Sequence, residues 1–123
     1  MLVLIAHGSR NEAWRRSLEN LSDSLRERDP ALQVRLAYMQ FSGPTLEEIV
    51  EEGREQGLRE FRLLPLFMAS AGHVDKDIRP LVESLAQQFP DVHLLLLPPV
   101  GEHPLFFDLI HTIAGGTASD PGK

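Results

Sequence analysis

Two histidines of this chain follow directly on apolar runs. His7 closes Leu2–Ala6 and opens His7-Gly8-Ser9-Arg10; His73 comes after the run from Leu63 to Met68 and the small-residue stretch Ala69-Ser70-Ala71-Gly72. An apolar run of this kind reads as a buried strand, and a polar, glycine-bearing loop at its end is where a rigid scaffold presents side chains to a ligand. Two neutral imidazoles on one rim suit a borderline divalent ion such as Co²⁺, Ni²⁺, Fe²⁺ or Zn²⁺. The same pair can also accept and return protons near neutral pH. Gln40 occupies the equivalent loop after the second strand, where its amide can hydrogen-bond a substrate, weakly ligate a metal, or simply serve a turn. His103 also lies in a strand-end loop, and His-Pro is equally a plain turn before a helix. His93, inside the fourth apolar run, and His111, on the last helix, read as structural or surface residues.

The elements that must position these groups can be read in order. Trp14, Leu18, Leu21 and Leu25 recur at helical spacing after a cap at Asn11 or Ser9, and Asp29-Pro30 ends that helix. Gln33 to Met39 alternates like a strand nearer a sheet edge and leads into the turn-rich Gln40-Phe41-Ser42-Gly43-Pro44. Thr45 with Glu48 forms a capping-box signature ahead of Leu46, Ile49 and Val50, and Gly57 closes the helix. The acidic cluster Glu47, Glu48, Glu51 and Glu52 is read as a solvated helix face. The apolar run Leu63–Met68 predicts a central strand covered on both faces. Asp77 is placed as the cap of a helix with Pro80 in its first turn and Ile78, Leu81, Val82, Leu85 and Phe89 as its buried stripe. Val92–Leu97 is a fourth apolar strand, and a last helix spans about Leu105 to Ile113.

This β-α-β-α-β-α-β-α order, with short connections, predicts a three-layer, flavodoxin-like α/β fold on a four-stranded parallel sheet in the order 2-1-3-4. In such sheets ligands sit beyond the carboxyl ends of the strands where the order reverses, here between strands one and three. Those strands end in His7 and His73, 66 positions apart.

At 123 residues the chain fits one domain, expected over residues 1–114 with a disordered tail at 115–123. Hydrophobic residues at 42% and charged ones at 24% are ordinary for a globular protein, and no apolar run approaches the roughly 20 residues that cross a bilayer. The expected location is the cytoplasm. The absence of cysteine removes disulfides, iron–sulfur clusters and thiolate zinc sites, leaving any metal to His, carboxylate or amide groups and keeping it exchangeable. A net charge of −6 argues against nucleic acid or an anionic membrane as partner.

The strand-end His7-Gly8-Ser9-Arg10, the Pro44-Thr45 helix start, and Leu64-Pro65-Leu66-Phe67 with Ala71-Gly72-His73-Val74 and Asp77-Ile78 resemble the small, single-domain sirohydrochlorin cobaltochelatases over about Met1 to Ile113. The resemblance implies a chelatase-like fold and a lyase that inserts Co²⁺, or Ni²⁺ or Fe²⁺, into a polycarboxylate tetrapyrrole of cobalamin or sirohaem biosynthesis. The metal is then a substrate, and no permanently bound cofactor is expected. It places metal holding on His7 and His73, either of which could also accept a pyrrole proton. A polycarboxylate substrate then calls for cationic and polar partners, for which Ser9, Arg10, Gln40, Ser70, Lys76 and Arg79 beside these loops are the candidates; Arg10, Lys76 and Arg79 read equally as solvated surface charges. Many members carry a glutamate in the loop after strand two, where this chain has Gln40. A homodimer is expected, with the broad substrate between two copies and Phe41, Met68, Val100, Leu105 and Phe106 at the contact.

Two other readings share these residues. Histidine phosphatases place Arg-His-Gly at the end of strand one, but Ala6 stands where the arginine belongs. A non-catalytic metal or cofactor carrier of flavodoxin type would use the same cleft; no glycine-rich dinucleotide fingerprint is present.

Overall fold

The apolar runs become four parallel strands, β1 (Leu2–Ala6), β2 (Val34–Tyr38), β3 (Glu60–Pro65) and β4 (His93–Leu96), in the order β2-β1-β3-β4. The computed structural model describes residues 1–115; of the expected tail, residues 116–123 lie outside the described residues. The helices are α1 (Glu12–Arg28), α2 (Leu46–Glu55), α3 (Arg79–Gln88) and α4 (Pro104–Ile113). Side chains alternate across a strand, so β1 divides its residues between two cores. Val3 and Ile5 join Leu46, Ile49, Val50, Phe61, Leu63, Ile78 and Leu85 under α2 and α3. Leu4 and Ala6 join Val34, Leu36 and Tyr38 under Leu18 and Leu25 of α1. Ile5, Ile49, Phe61, Leu63 and Leu85 are fully buried, each contributing about 1.5–3 kcal/mol relative to exposure.

Local chemistry fixes the helix starts. Asn11 Oδ1 accepts the Trp14 N–H at 3.0 Å, and Ser9 Oγ accepts the Asn11 N–H at 3.0 Å. At α2 the full capping box forms: Thr45 Oγ1 accepts from Glu48 N at 3.2 Å and Glu48 Oε1 from Thr45 N at 3.1 Å. Gly57, with φ +92°, follows α2 as expected.

β4 is the edge strand that the order 2-1-3-4 predicts; its Leu94 and Leu96 pack under α3 while His93 and Leu95 look outward, Leu95 at 45% exposure. Two expectations change. β3 begins at Glu60, ends at Pro65, and alternates, with Glu60 and Arg62 exposed, so the central strand is covered fully on one face only. Second, Asp77 caps nothing: a π-helical turn, Val74–Ile78, runs straight into α3, so the helical path starts at His73 and Asp77 falls inside it.

Candidate functional site

His7 and His73 meet at the carboxyl rim between β1 and β3, with ring centroids 5.0 Å apart and planes inclined at 72°. Phe67, from the loop after β3, stacks on His73 at 5.9 Å. Together with Met39, Gln40 and Asp77 they line a cavity of about 310 Å³. Two imidazoles bound to one ion at about 2.0–2.1 Å, with an angle near 90–110° between them, hold their centroids roughly 4.5–5.3 Å apart. The observed spacing falls inside that range.

Backbone packing creates the juxtaposition. Gly8, at φ +105°, lies so close to the loop after β2 that an added Cβ would stand 1.9 Å from the Gln40 carbonyl oxygen. The approach lets Gln40 N donate to His7 O at 3.1 Å and brings the Gln40 amide nitrogen to 3.1 Å from His7 Nε2. His7 Nδ1 lies 3.3 Å from Gly8 O. With the proton on Nδ1 facing that carbonyl, the Nε2 lone pair is the one that accepts from Gln40, and any ion bound at Nε2 would have to displace the amide. Phe41, next in sequence, holds φ +68°, a strained conformation of the sort concentrated at functional sites.

At the other imidazole, Asp77 Oδ2 lies 3.0 Å from His73 Nδ1. The π turn places residues 73 and 77 on one side of the helical path, and the carboxylate accepts a hydrogen bond from the Nδ1–H, leaving Nε2 open. This carboxylate–histidine arrangement is what orients metal-binding imidazoles and raises their basicity. Asp77 was absent from the residues expected at the site; its signal in the sequence was the four-residue spacing from His73. Asp77→Ala is expected to weaken Co²⁺ binding to the histidine pair by about 10–100-fold. Calorimetric titration checks this, and unchanged affinity would reduce the contact to an exposed ion pair.

Glu102 was also missed. From the 3₁₀ turn Val100–Glu102, its carboxylate accepts the Ser70 N–H at 2.6 Å and the Ser70 hydroxyl at 2.9 Å, tying down the loop that carries His73. Ser70 is thus committed to that anchor, and Ser9 to the α1 start. Arg10 lies 4.8 Å over the Phe41 ring, beside the Gln40 loop. Arg79 lies 3.4 Å from Asp75, whereas Lys76 has no ion-pair partner among the described residues. His103 is a helix cap, its Nδ1 accepting from Leu105 N at 3.1 Å. Among the described residues no group of three or more His, Cys, Asp or Glu side chains could hold a metal, so the two imidazoles stand without a third strong ligand.

Ionisation is displaced elsewhere in the fold. Burial foremost, then Glu19, raises the Tyr38 phenol, against a smaller lowering by Arg15. Asp91 is held below the usual carboxylate range, chiefly by its hydrogen bond from Arg54. A larger hollow of about 390 Å³ runs along α1 and the β2 edge, but no imidazole lines it, and its Arg26 and Arg35 already pair with Asp23 and Glu52.

The class defined here is a parallel α/β protein with two strand-end imidazoles at the switch point of its sheet. Residues 1–114 match the CbiX family, and the chain belongs to it. The sirohydrochlorin cobaltochelatase of Methanocaldococcus jannaschii is 35% identical over 81 residues, covering 66% of this chain and 57% of that protein. The sirohydrochlorin cobaltochelatase of Methanosarcina acetivorans is 29% identical, with 89% of each chain covered. The chain spans only 49% of the chloroplastic sirohydrochlorin ferrochelatase of Arabidopsis thaliana. Among solved structures, a cobalamin biosynthesis CbiX protein from Marinobacter aquaeolei superposes with TM-score 0.79 at 29% identity, over 93% of this chain and 92% of that one. The cobalt complex of SirB from Bacillus subtilis gives 0.77 at 19% identity, covering 95% of this chain and 50% of that one, a likeness of fold. Among the described residues no helix is long and apolar enough to cross a membrane.

Proposed function

We propose that this protein is a cytoplasmic lyase that inserts a divalent metal, Co²⁺ or alternatively Ni²⁺ or Fe²⁺, into a sirohydrochlorin-type tetrapyrrole. The observation that carries the reading is the His7–His73 pair, 5.0 Å apart by centroid in a rim cavity. Family membership and the relatives' names support the substrate class. In the reaction the ion sheds water, binds His7 Nε2 and His73 Nε2, and passes to the macrocycle as two pyrrole N–H protons leave. Each imidazole that releases the metal regains a free Nε2 lone pair and accepts one of those protons. The two charges balance: one divalent ion enters and two protons depart. Asp77 stabilises the His73 imidazolium that results. Two nitrogen ligands and no thiolate hold the ion loosely enough for transfer.

Arg10 and Lys76 meet the substrate's carboxylates from the two histidine loops. Arg79 and the loop hydroxyls of Ser9 and Ser70 are already engaged within the protein and contribute indirectly. Anaerobic incubation with sirohydrochlorin and each of Co²⁺, Ni²⁺ and Fe²⁺, followed by visible spectroscopy, should show insertion well above the uncatalysed rate for at least one ion. Rates equal to the protein-free control for all three would leave the protein a metal carrier.

Gln40 determines metal preference in this reading, because its amide competes for His7 Nε2. Gln40→Glu replaces a neutral competitor by an anionic third ligand and should reorder the rates of the three ions. An unchanged order would make Gln40 a turn residue.

The working unit is a homodimer. A cavity of about 310 Å³ lies at the small end of ligand sites, and a tetrapyrrole with many carboxylates is broad and flat, so a second copy supplies the facing wall. Phe41, Met68 and Leu105 are 55%, 62% and 68% exposed around the rim, while Val100 and Phe106 are half-buried. Light scattering should give twice the monomer mass. A monomer with full insertion activity would defeat this part alone.

A further inference from the structure

Strand β2 lies at the edge of the sheet, and one stretch of that edge is open. In the ladder to β1, Leu2 N donates to Gln33 O and Met39 N to Ala6 O, so Val34, Leu36 and Tyr38 turn their main-chain groups away from the sheet. Both ends of this edge are closed. Arg26 Nε donates to Val34 O at 3.1 Å, and Tyr38 N donates to Pro44 O at 3.0 Å. Between them, the N–H and C=O of Leu36 have no partner among the described residues, although the residue is only 8% exposed.

Leu36 forms part of the wall of the hollow of about 390 Å³ between α1 and the β2 edge. Two more unpartnered groups line it. Ser22 and Tyr38 are 2% and 4% exposed, and neither Ser22 Oγ nor Tyr38 Oη makes a hydrogen bond. Buried polar groups are paired as a rule, so an unpaired N–H, a carbonyl and two hydroxyls around one hollow mark a place where the bonds are completed from outside. Burial, and after it Glu19, raises the Tyr38 phenol, so this hydroxyl keeps its proton near neutral pH. Charge is left over as well. Arg16, Arg26 and Arg35 pair with Glu12, Asp23 and Glu52, and Arg15 donates to Ser42 Oγ, whereas Glu19 has no ion-pair partner among the described residues. None of the hollow's lining residues belongs to the imidazole cavity.

We infer that this hollow is a second binding site, which takes a short extended segment of another polypeptide carrying a basic side chain. A strand residue whose N–H and C=O both face outward is matched by one residue of an antiparallel segment, which exchanges both bonds with it. The closed ends set the length. Between the carbonyl held by Arg26 and the N–H held by Pro44 the edge runs roughly 10 Å, room for about three residues. A longer strand meets the Arg26 guanidinium at one end and the Gly43-Pro44 turn at the other, so the edge is shut to open-ended pairing while one slot remains. The Ser22 and Tyr38 hydroxyls bond the polar groups that flank the paired residue, and Glu19 receives the basic side chain. The site goes beyond metal insertion, and its test does not involve that reaction.

The full chain, isotopically labelled, is titrated with the capped tripeptide acetyl-Ala-Lys-Ala-methylamide and followed by nuclear magnetic resonance of its backbone amides. The Leu36 amide signal should shift saturably. The glutamate counterpart, acetyl-Ala-Glu-Ala-methylamide, should bind severalfold more weakly, and Glu19→Gln should erase that difference. Methylating the central amide nitrogen of the lysine peptide removes the donor that the Leu36 carbonyl needs and should abolish the shift. A buried hydroxyl without a partner adds little to stability, so the double variant Ser22→Ala/Tyr38→Phe should unfold in urea at or above the wild-type midpoint while binding the lysine peptide severalfold less tightly. No saturable shift at Leu36, or one that the methylated peptide reproduces, would overturn the site and leave the edge merely hydrated. A lower midpoint in the double variant with peptide affinity unchanged would overturn the part given to the two hydroxyls.

Discussion

His7→Ala and His73→Ala are each expected to reduce metal insertion to the uncatalysed rate while the protein stays folded. Removing an oriented second-sphere partner already costs about 10–100-fold in metal sites, and here one of only two strong ligands goes. The fold should tolerate the change. His73 is 61% exposed in its side chain and His7 is half-buried at a strand end, and neither joins a hydrophobic cluster. The expected stability change is within about 1 kcal/mol, as for most substitutions away from the core. The two variants should differ in what remains. His73→Ala leaves His7 Nε2 with Gln40 as its neighbour and strips Asp77 of its partner, whereas His7→Ala leaves the Asp77–His73 pair intact. Residual Co²⁺ binding should therefore be stronger in His7→Ala. Anaerobic rates with a matched denaturation curve decide the matter: near-wild-type insertion in either variant would remove that histidine from the mechanism.

The route from sequence to this site was short for the histidines and long for their supports. His7 and His73 were legible because each follows an apolar run, and a parallel β-α-β order brings strands one and three together whatever lies between. The Thr45–Glu48 box was legible because its chemistry is contained in four residues. Asp77 was misread because an aspartate ahead of Ile78 and Pro80 has the look of a helix start; the π turn that draws it inward is decided by packing of Val74 and Ile78 under the sheet. Glu102 could not be found by pattern, since its partner Ser70 is 32 residues away across a loop contact. The outward side of β4 escaped for a different reason. Composition registers Leu95 as core, and only the pairing Arg62↔Leu95 places it on the outward face of the edge strand, 45% exposed.

Gly8→Ala is expected to be the most damaging single-methyl change in the protein, affecting stability and activity together. At φ +105° an L residue is already strained, which costs on the order of 1–3 kcal/mol. Here the added Cβ would also meet Gln40 O at 1.9 Å and Gln40 C at 2.9 Å, both backbone atoms that cannot rotate away. Forcing that contact open adds roughly another 1–3 kcal/mol. Gly57 and Gly72 give the comparison that separates the two costs, since each has positive φ, +92° and +88°, and nothing within 4 Å of a built Cβ. Gly57→Ala, far from the rim, should therefore lose only the conformational part. In urea melts Gly8→Ala should be less stable than Gly57→Ala by at least about 1 kcal/mol, and equal midpoints would show that the two loops part without cost. The relief available to Gly8→Ala is separation of the His7 and Gln40 loops. That movement breaks the Gln40 N–H to His7 O bond and shifts the imidazole whose distance to His73 sets the site. Insertion should fall with stability in Gly8→Ala under conditions where it is still fully folded, and stay at the wild-type rate in Gly57→Ala.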